Sequence, residues 1–178
     1  MKTLVILGSV REKGNGVKVM KYLEKALPSL DCNTEFSFVY LKDMKLVHYA
    51  EPGSPRSNSN YVFEETRNWS MLVKQFDGYI FVTPEYNGFF TGALKDAIDL
   101  LYNEWVGKAA GIIGYGSRGA KRAVKQLSTL LKSFEMTQAE TVIGIHQVWD
   151  AFNGDVFNTE KLEGNLQDLV IEMEKKEC

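Results

Sequence analysis

The chain has 178 residues, of which 44% are hydrophobic and 25% are charged. This composition is typical of a globular protein, and the length predicts one domain, residues 1–178, that buries its own core. The 21 basic and 23 acidic residues give a net charge of −2, without a long run of either sign. This balance argues against a nucleic-acid partner.

The sequence also indicates the cellular compartment of the protein. No stretch reaches the roughly 18 apolar residues that span a bilayer, and the apolar run from Leu4 to Leu7 is too short for the core of a signal peptide. The two cysteines, Cys32 and Cys178, match no disulfide or metal-binding spacing, which favours free thiols in a reducing compartment. We therefore expect a cytoplasmic protein that does not associate with a membrane.

Five segments have the pattern of β-strands. Three of them are continuous apolar runs, the pattern expected of parallel strands that are buried on both faces. The second segment alternates and is predicted to lie nearer an edge of the sheet. The predicted strands are residues 4–7, 36–40, 79–82, 109–115 and 142–148.

Apolar residues at helical spacing separate these strands and follow the last one. The predicted helices are residues 17–27, 61–76, 94–101, 124–131 and 162–173, and residues 42–60 are predicted to form a connection. This alternation predicts an α/β fold, a doubly wound five-stranded parallel sheet with helices on both faces. Ligands of such sheets bind at the carboxyl ends of the strands, near the point where the strand order reverses.

Three loops are predicted to meet at that edge. The first runs from Gly8 to Gly16, between the first strand and the first helix. A phosphate bound there would accept hydrogen bonds from the free amides of the helix start, from the Ser9 hydroxyl and from the Arg11 guanidinium. A plain turn with a solvated Arg11 explains this loop alone equally well, and the P-loop pattern is absent.

The second loop, residues 83–88, follows the most apolar strand. Pro84 restricts the backbone of this loop, and Gly88 gives it more conformational freedom. Asn87 both donates and accepts hydrogen bonds, so the loop is suited to contact a planar heterocycle. A simple turn is the alternative. Glu85 has no second carboxylate or histidine near it in sequence, which argues against acid–base catalysis by this residue.

The third loop, residues 114–119, matches the G-x-G-x-x-G pattern between a strand and a helix. A dinucleotide-binding unit needs an acidic residue at the end of the next strand, whereas Glu140 precedes that strand, and only one strand remains. We therefore expect this loop to form a wall of the site. The positive charges around the start of the next helix form either a solvated helix face or a binding surface for the phosphates of an anionic cosubstrate. They belong to Arg118, Lys121, Arg122 and Lys125.

Taken together, these loops resemble the NADPH-dependent FMN reductase family, flavodoxin-like flavoproteins that include quinone, azo-dye and chromate reductases. The most specific part of the resemblance is Pro84 to Gly88 followed by Gly92 to Asp99. Gly8 to Arg11 and the third loop support it. The residues from Leu101 to Trp105 make the quinone reductase type the most similar one.

The resemblance implies a bound FMN that is reduced by NADPH or NADH and reoxidised by a quinone, an azo compound or a similar two-electron acceptor. No catalytic side chain is required. Relatives form homodimers or homotetramers, which suggests an interface near Tyr102 and Trp105. By the resemblance, the phosphate-binding residues are Ser9, Arg11, Asn15, Gly16 and Val17, the residues that line the isoalloxazine are Pro84, Glu85, Tyr86 and Asn87, and those that close its far side are Gly116 and Ser117.

Two alternatives share the fold. A flavodoxin-type electron carrier has no reductase activity of its own, but such carriers are strongly acidic and have a Ser/Thr-rich phosphate loop, whereas this chain has a net charge of −2 and Arg11 in that loop. The other alternative is an interaction protein that retains the fold without flavin.

Overall fold

A computed structural model describes residues 1–57 and 60–177 of the chain. Strands and helices alternate along it. The longer strands are β1 (Lys2–Leu7), β2 (Glu35–Tyr40), β3 (Gly78–Pro84), β4 (Ala109–Gly116) and β6 (Ile143–His146), and the two-residue strands are β5 (Thr137–Gln138), β7 (Phe152–Asn153), β8 (Val156–Phe157) and β9 (Leu162–Glu163). The helices are α1 (Asn15–Ala26), α2 (Glu64–Val73), α3 (Gly92–Asp99), α4 (Lys121–Ser133) and α5 (Leu166–Glu177).

The five longer strands pair in the order β2-β1-β3-β4-β6, and every neighbouring pair is parallel. This is the flavodoxin-like order, in which the chain reverses direction across the sheet between β1 and β3. The predicted five-stranded parallel sheet is therefore confirmed. Two short strands extend it, since β5 pairs with β4 in parallel and β9 pairs with β6 in antiparallel orientation.

A separate hydrophobic core covers each face of the sheet. In β1, Leu4 and Ile6 point into one core, whereas Val5 and Leu7 point into the other. Helices α2, α3 and α4 contribute to the first core, and α1 and α5 to the second. Burial on both faces explains why β1 is a continuous apolar run, and it confirms helices on both faces.

Three predicted boundaries are wrong. Leu162 lies in β9 and not in the closing helix, because Gly164 turns the chain with a φ of 92° before α5 begins at Leu166. The last parallel strand ends at His146, before the predicted end. Helix α2 begins at Glu64 and not at residue 61, because the amides of Val62 and Phe63 donate to the carboxylate of Glu51 instead of entering a helix.

Some residues whose place the sequence left open have a clear environment. Trp105 and Phe90 are buried in the core, whereas Phe89 is 49% exposed. Cys32 is a free thiol, and Cys178 lies outside the described residues, as do residues 58 and 59 of the predicted connection. Across residues 1–57 and 60–177, every helix is too short or too polar to cross a membrane.

Candidate functional site

The three loops predicted from the sequence do meet at the carboxyl ends of β1, β3 and β4. The amide of Gly8 donates to the carbonyl oxygen of Val82 at 2.8 Å. The Thr91 hydroxyl donates to the carbonyl oxygen of Gly8 at 2.5 Å and accepts from the amide of Leu94 at 3.2 Å. Thr91 therefore caps the start of α3 and ties that helix to the first loop.

The start of α1 packs closely against β4. A Cβ on Gly16 would overlap the hydroxyl of Tyr115, so only glycine allows this approach. Burial raises the pKa of Tyr115 above its usual value, and the nearby Ser9 side chain opposes this shift. Ser9 is itself buried and also accepts from the amide of Arg11 at 3.4 Å. The close fit of Gly16 and the buried, hydrogen-bonded Ser9 therefore both help to position the first loop.

The first turn of α1 is suited to an anion. Gly14 precedes the helix without a side-chain cap, and no acidic residue lies in the first turn. Arg11 is exposed and, among the residues that the structure describes, forms no ion pair. Free amides and the positive end of the helix dipole favour a phosphate at such a position.

Asn15 and Val17, the two other residues predicted to bind the phosphate, lie in different surroundings. Asn15 begins α1 and is half-buried. The amide of Val17 donates to the carbonyl oxygen of Gly14 at 3.1 Å. The side chain of Val17 lines a separate groove of about 460 Å³, which runs along α1 to Phe152 and Asp155 beside the β7–β8 hairpin. The amide of Val17 is thus already paired and its side chain faces this groove, so Val17 can belong to an anion site only as part of the turn that forms it.

The second loop ends in a tight turn. Tyr86 and Phe89 exchange two backbone hydrogen bonds of 2.8 and 3.0 Å, with Asn87 and Gly88 between them at φ values of 54° and 86°. Two positive φ values are the requirement of a type I′ turn, for which Asn-Gly is the preferred pair. Tyr86 is 43% exposed, so the turn presents an aromatic ring at the mouth of the site, whereas Pro84 is buried at the end of β3.

Glu85 joins the second loop to α4. Its carboxylate accepts hydrogen bonds from the Arg122 guanidinium at 2.8 and 2.5 Å and from the Arg122 amide at 3.1 Å. Burial opposes ionisation of Glu85, but these hydrogen bonds outweigh it, and the pKa of Glu85 is lowered. A carboxylate held in this way is a poor proton acceptor and a good cap for the helix.

The third loop is held by the backbone that follows β6. The amide of Val148 donates to the carbonyl oxygen of Gly116 at 3.2 Å, and that of Gln147 donates to Ser117 at 3.3 Å. Gly119 and Ala120 have consecutive positive φ values of 62° and 55°. These left-handed residues turn the chain sharply into α4.

An open cleft of about 730 Å³ separates the second loop from the third. Glu163 of β9 lies close to it and contacts two basic side chains, with 2.5 Å to Nε2 of His146 and 3.1 Å to Nζ of Lys121. Hydrogen bonds from Lys121 and then from His146 lower the pKa of Glu163. The cleft is lined by Glu85, Gly116, Ser117, Arg118, Ala120, Lys121 and Arg122.

Sequence reasoning missed four residues that shape this site. Thr91 carried a readable signal, because a threonine directly before an amphipathic segment favours a helix N-cap. Tyr115, Glu163 and the role of Arg122 as the partner of Glu85 carried none, because their contacts depend on how distant parts of the chain pack.

The fold and the site define a class of protein. In flavodoxin-like sheets of this strand order, FMN binds at the switch point between β1 and β3. Here that point offers an uncapped helix start, the buried hydroxyl of Ser9 and the guanidinium of Arg11, which suit the phosphate of FMN. The tight backbone of the second and third loops suits a flat ring. The chain is thus a flavodoxin-like flavoprotein.

The chain belongs to the NADPH-dependent FMN reductase family, whose model matches residues 1–150. It is 40% identical over 137 residues to an NAD(P)H-dependent FMN reductase of Nectria sp, covering 74% of this chain and 67% of the relative. It is 28% identical over 151 residues to a quinone reductase of Pseudomonas putida, covering 79% and 76%. The protein is accordingly an FMN-dependent oxidoreductase that takes electrons from NAD(P)H.

Solved structures agree on the fold. FerB, a flavoenzyme NAD(P)H:(acceptor) oxidoreductase from Paracoccus denitrificans, superposes with a TM-score of 0.71 at 24% identity. The superposition covers 99% of this chain and 94% of FerB. It therefore includes the β7–β8 hairpin, β9 and α5, which lie beyond the residues that the family model matches.

Proposed function

We propose that residues 1–178 form one domain that binds FMN at the three loops and passes two electrons from NAD(P)H to a quinone or an azo compound. The observation that carries this proposal is the uncapped start of α1 beside Ser9 and Arg11, at the switch point of the sheet. Few other positions in an α/β fold combine free amides, a helix dipole and a cation for one phosphate.

In this proposal, the phosphate lies against the first turn of α1. Ser9 donates through its hydroxyl, Arg11 through its guanidinium, and Asn15, Gly16 and Val17 act through the backbone or side chain of that turn. Two features support this arrangement: the close contact of Gly16 with Tyr115 holds the turn in place, and Arg11 has no competing carboxylate among the described residues. The phosphate would meet a site that is already formed.

The isoalloxazine lies between the second and third loops. Pro84, Tyr86 and Asn87 contribute the wall on one side, and Gly116 and Ser117 close the other. Glu85 acts by fixing the second loop to α4 through Arg122. When bound, FMN supplies the electron-transfer chemistry, and the protein binds it, orients it and excludes competing reactions.

The acceptor is proposed from a relative and from the shape of the site. A relative named as a quinone reductase supports a planar organic acceptor. The cleft between the second and third loops is open to solvent and is lined by Glu85, the residue before the exposed Tyr86, so a flat molecule has access to this edge of the sheet.

We also propose a homodimer or homotetramer in the cytoplasm. Exposed aromatic side chains at the carboxyl edge, Tyr86 and Phe89, support a subunit contact there, since exposed apolar patches often mark interfaces. Trp105 is buried and is therefore core. The unpaired thiol of Cys32 is typical of a reducing compartment. Light scattering on the eluting protein tests the assembly, and cell fractionation tests the compartment.

The function is tested by visible absorption of the purified protein, recorded before and after anaerobic addition of NADPH. We expect a flavin spectrum that bleaches with NADPH and returns when benzoquinone or an azo dye is added. A flavin spectrum that persists with NADPH and NADH would instead indicate an electron carrier. A protein that binds no flavin after incubation with FMN would overturn the proposal and its site residues.

A further inference from the structure

We propose that Arg118 binds a phosphate group of the pyridine dinucleotide, and that this group docks in the part of the cleft formed by Arg118 and the start of α4, beside the part that Gly116 and Ser117 contribute to the isoalloxazine site. The inference rests on the proposed function and specifies how the same site recognises its electron donor. Arg118, Lys121 and Arg122 all line the cleft, but the structure distinguishes them by what each one already contacts.

Arg122 is occupied by Glu85. Its guanidinium donates to the Glu85 carboxylate through both Nε and a terminal nitrogen, and the Glu85 side chain is only 19% exposed. To release the guanidinium of Arg122, a ligand would leave a largely buried carboxylate with backbone amides as its only donors, which is costly. Arg122 therefore holds the loops together rather than the ligand.

Lys121 is partly occupied. Its ammonium group faces Glu163 at 3.1 Å, and Glu163 also contacts His146. Lys121 and Glu163 are both more than half exposed, and such surface pairs contribute less than about 1 kcal/mol. Lys121 can therefore turn toward a ligand at small cost, but its charge is already balanced.

Arg118 forms no ion pair within the described residues, 1–57 and 60–177, and its side chain is exposed to the cleft. The side chains that line the cleft comprise three cations and one carboxylate, and a second carboxylate, Glu163, lies beside them. Pairing Arg122 with Glu85 and Lys121 with Glu163 leaves the charge of Arg118 uncompensated. A planar guanidinium is well suited to bind a phosphate through two hydrogen bonds.

The backbone at Arg118 is also held in place. Residues 118 and 146 form an antiparallel bridge, and Ser117 accepts from the amide of Gln147. Arg118 is therefore presented from a loop anchored to β6, which reduces the ordering cost of binding a ligand. A dinucleotide carries a pyrophosphate in both forms and an additional 2′-phosphate in NADP, and arginine is a common partner of that 2′-phosphate.

The experiment compares the FMN-loaded wild-type protein with Arg118→Gln by titration calorimetry with NADP⁺ and NAD⁺. We expect Arg118→Gln to raise the Kd for NADP⁺ by about tenfold, the effect of losing about 1.4 kcal/mol. An equal rise for NAD⁺ assigns Arg118 to the pyrophosphate, and a rise for NADP⁺ alone assigns it to the 2′-phosphate. Arg118→Lys retains the charge and is expected to recover part of the affinity.

The matched control is Lys125→Gln, which removes the same charge from an exposed position on α4 outside the cleft. We expect it to change either Kd by less than about twofold, since an exposed charge outside the site acts only through a screened field. If Arg118→Gln changes neither Kd beyond this control, the inference is overturned. A flavin-loaded wild type that NADPH does not bleach would overturn the proposed function instead.

Discussion

The two sides of the site are held together by different forces. On the side of the first loop, Gly16 fits against the Tyr115 hydroxyl, Ser9 is buried, and the ion pairs of the described residues lie elsewhere. On the side of the cleft, Glu85 with Arg122 and Glu163 with Lys121 connect the second loop and β9 to α4 through charge, and Glu163 is also hydrogen-bonded to His146 of β6. Packing without ion pairs positions the first loop, whereas ion pairs add to backbone hydrogen bonds on the side of the cleft.

This difference has functional consequences. Steric fit responds little to pH or salt, so the loop proposed for the FMN phosphate should keep its conformation over a wide range of conditions. Surface ion pairs respond to both, so the half that faces exchanging substrates should be easier to perturb.

The largest effect is expected for Gly16→Ala. The added Cβ would overlap the Tyr115 hydroxyl, so we expect unfolding free energy to fall by about 2–3 kcal/mol, the upper part of the range for overpacking, and FMN to bind more weakly. Urea denaturation and flavin fluorescence titration measure these effects. Tyr115→Phe removes the overlapping oxygen, and the double variant should recover part of the lost stability.

The matched control for this prediction is Gly92→Ala. Gly92 also lies in the first turn of a helix, but apart from its chain neighbours and the backbone of its own helix, nothing lies within 4 Å of the place that its Cβ would take. This variant should be neutral or slightly stabilising, since alanine favours the helix over glycine. Equal losses in both variants would mean that helix propensity, and not the contact with Tyr115, explains the effect.

The next effect concerns cofactor affinity. Arg11→Ala should weaken FMN binding by about 1.5–3 kcal/mol, the range for a hydrogen bond to a charged group, because it removes the cation proposed for the phosphate. Lys13→Ala removes an equal charge from the same exposed loop and should have a much smaller effect. Titration of the flavin-free protein with FMN measures both affinities, and equal values for the two variants would refute the role of Arg11.

The difference between the two halves also explains what could be predicted from the sequence. Gly8, Ser9 and Arg11 are consecutive or nearly so, and apolar periodicity sets the strand and the helix around them, so the first loop was correctly placed at the sheet edge. The pairing of Glu85 with Arg122 joins residues 37 positions apart. That contact depends on the register of β3 against β4 and on the start of α4, which no local pattern specifies.

The C-terminal region illustrates the same limit. Leu162 fits the apolar spacing of the closing helix, but Gly164 and the pairing of β9 with β6 place it in a strand. Glu163 reaches His146 and Lys121 only because of this antiparallel pairing. A sequence pattern based on helix period therefore misses both the strand and the ion pairs that depend on it.

A moderate effect is expected for Glu85→Gln. Loss of the charged cap and of the bond to Arg122 should lower the unfolding free energy by about 1–2 kcal/mol at neutral pH. Since the pKa of Glu85 is lowered from 4.5, its stabilisation is complete above pH 4.5 and is lost as pH falls through the lower value of the folded state. The difference between wild type and variant should therefore shrink in acid.

Urea denaturation at pH 7 and at successively lower pH measures this difference. Glu12→Gln, an exposed glutamate in the first loop, is the control, and its small effect should not follow the same pH profile. The difference in unfolding free energy between wild type and Glu85→Gln could instead stay constant as the pH approaches that of acid unfolding. Glu85 would then stabilise the loop by packing and not by charge.

The smallest effect is expected for Glu163→Gln, and it tests the contrast most directly. Glu163 is 54% exposed, so its contacts with Lys121 and His146 should stabilise the fold by less than about 1 kcal/mol, and this contribution should decrease further in 1 M salt. Denaturation at low and high salt measures this contribution. Gly16→Ala is the reference, because its loss of unfolding free energy should not depend on salt. Salt screens ion pairs at this exposure. If the loss of unfolding free energy in Glu163→Gln were equally independent of salt, the cleft side would therefore be stabilised by packing, as the first loop is.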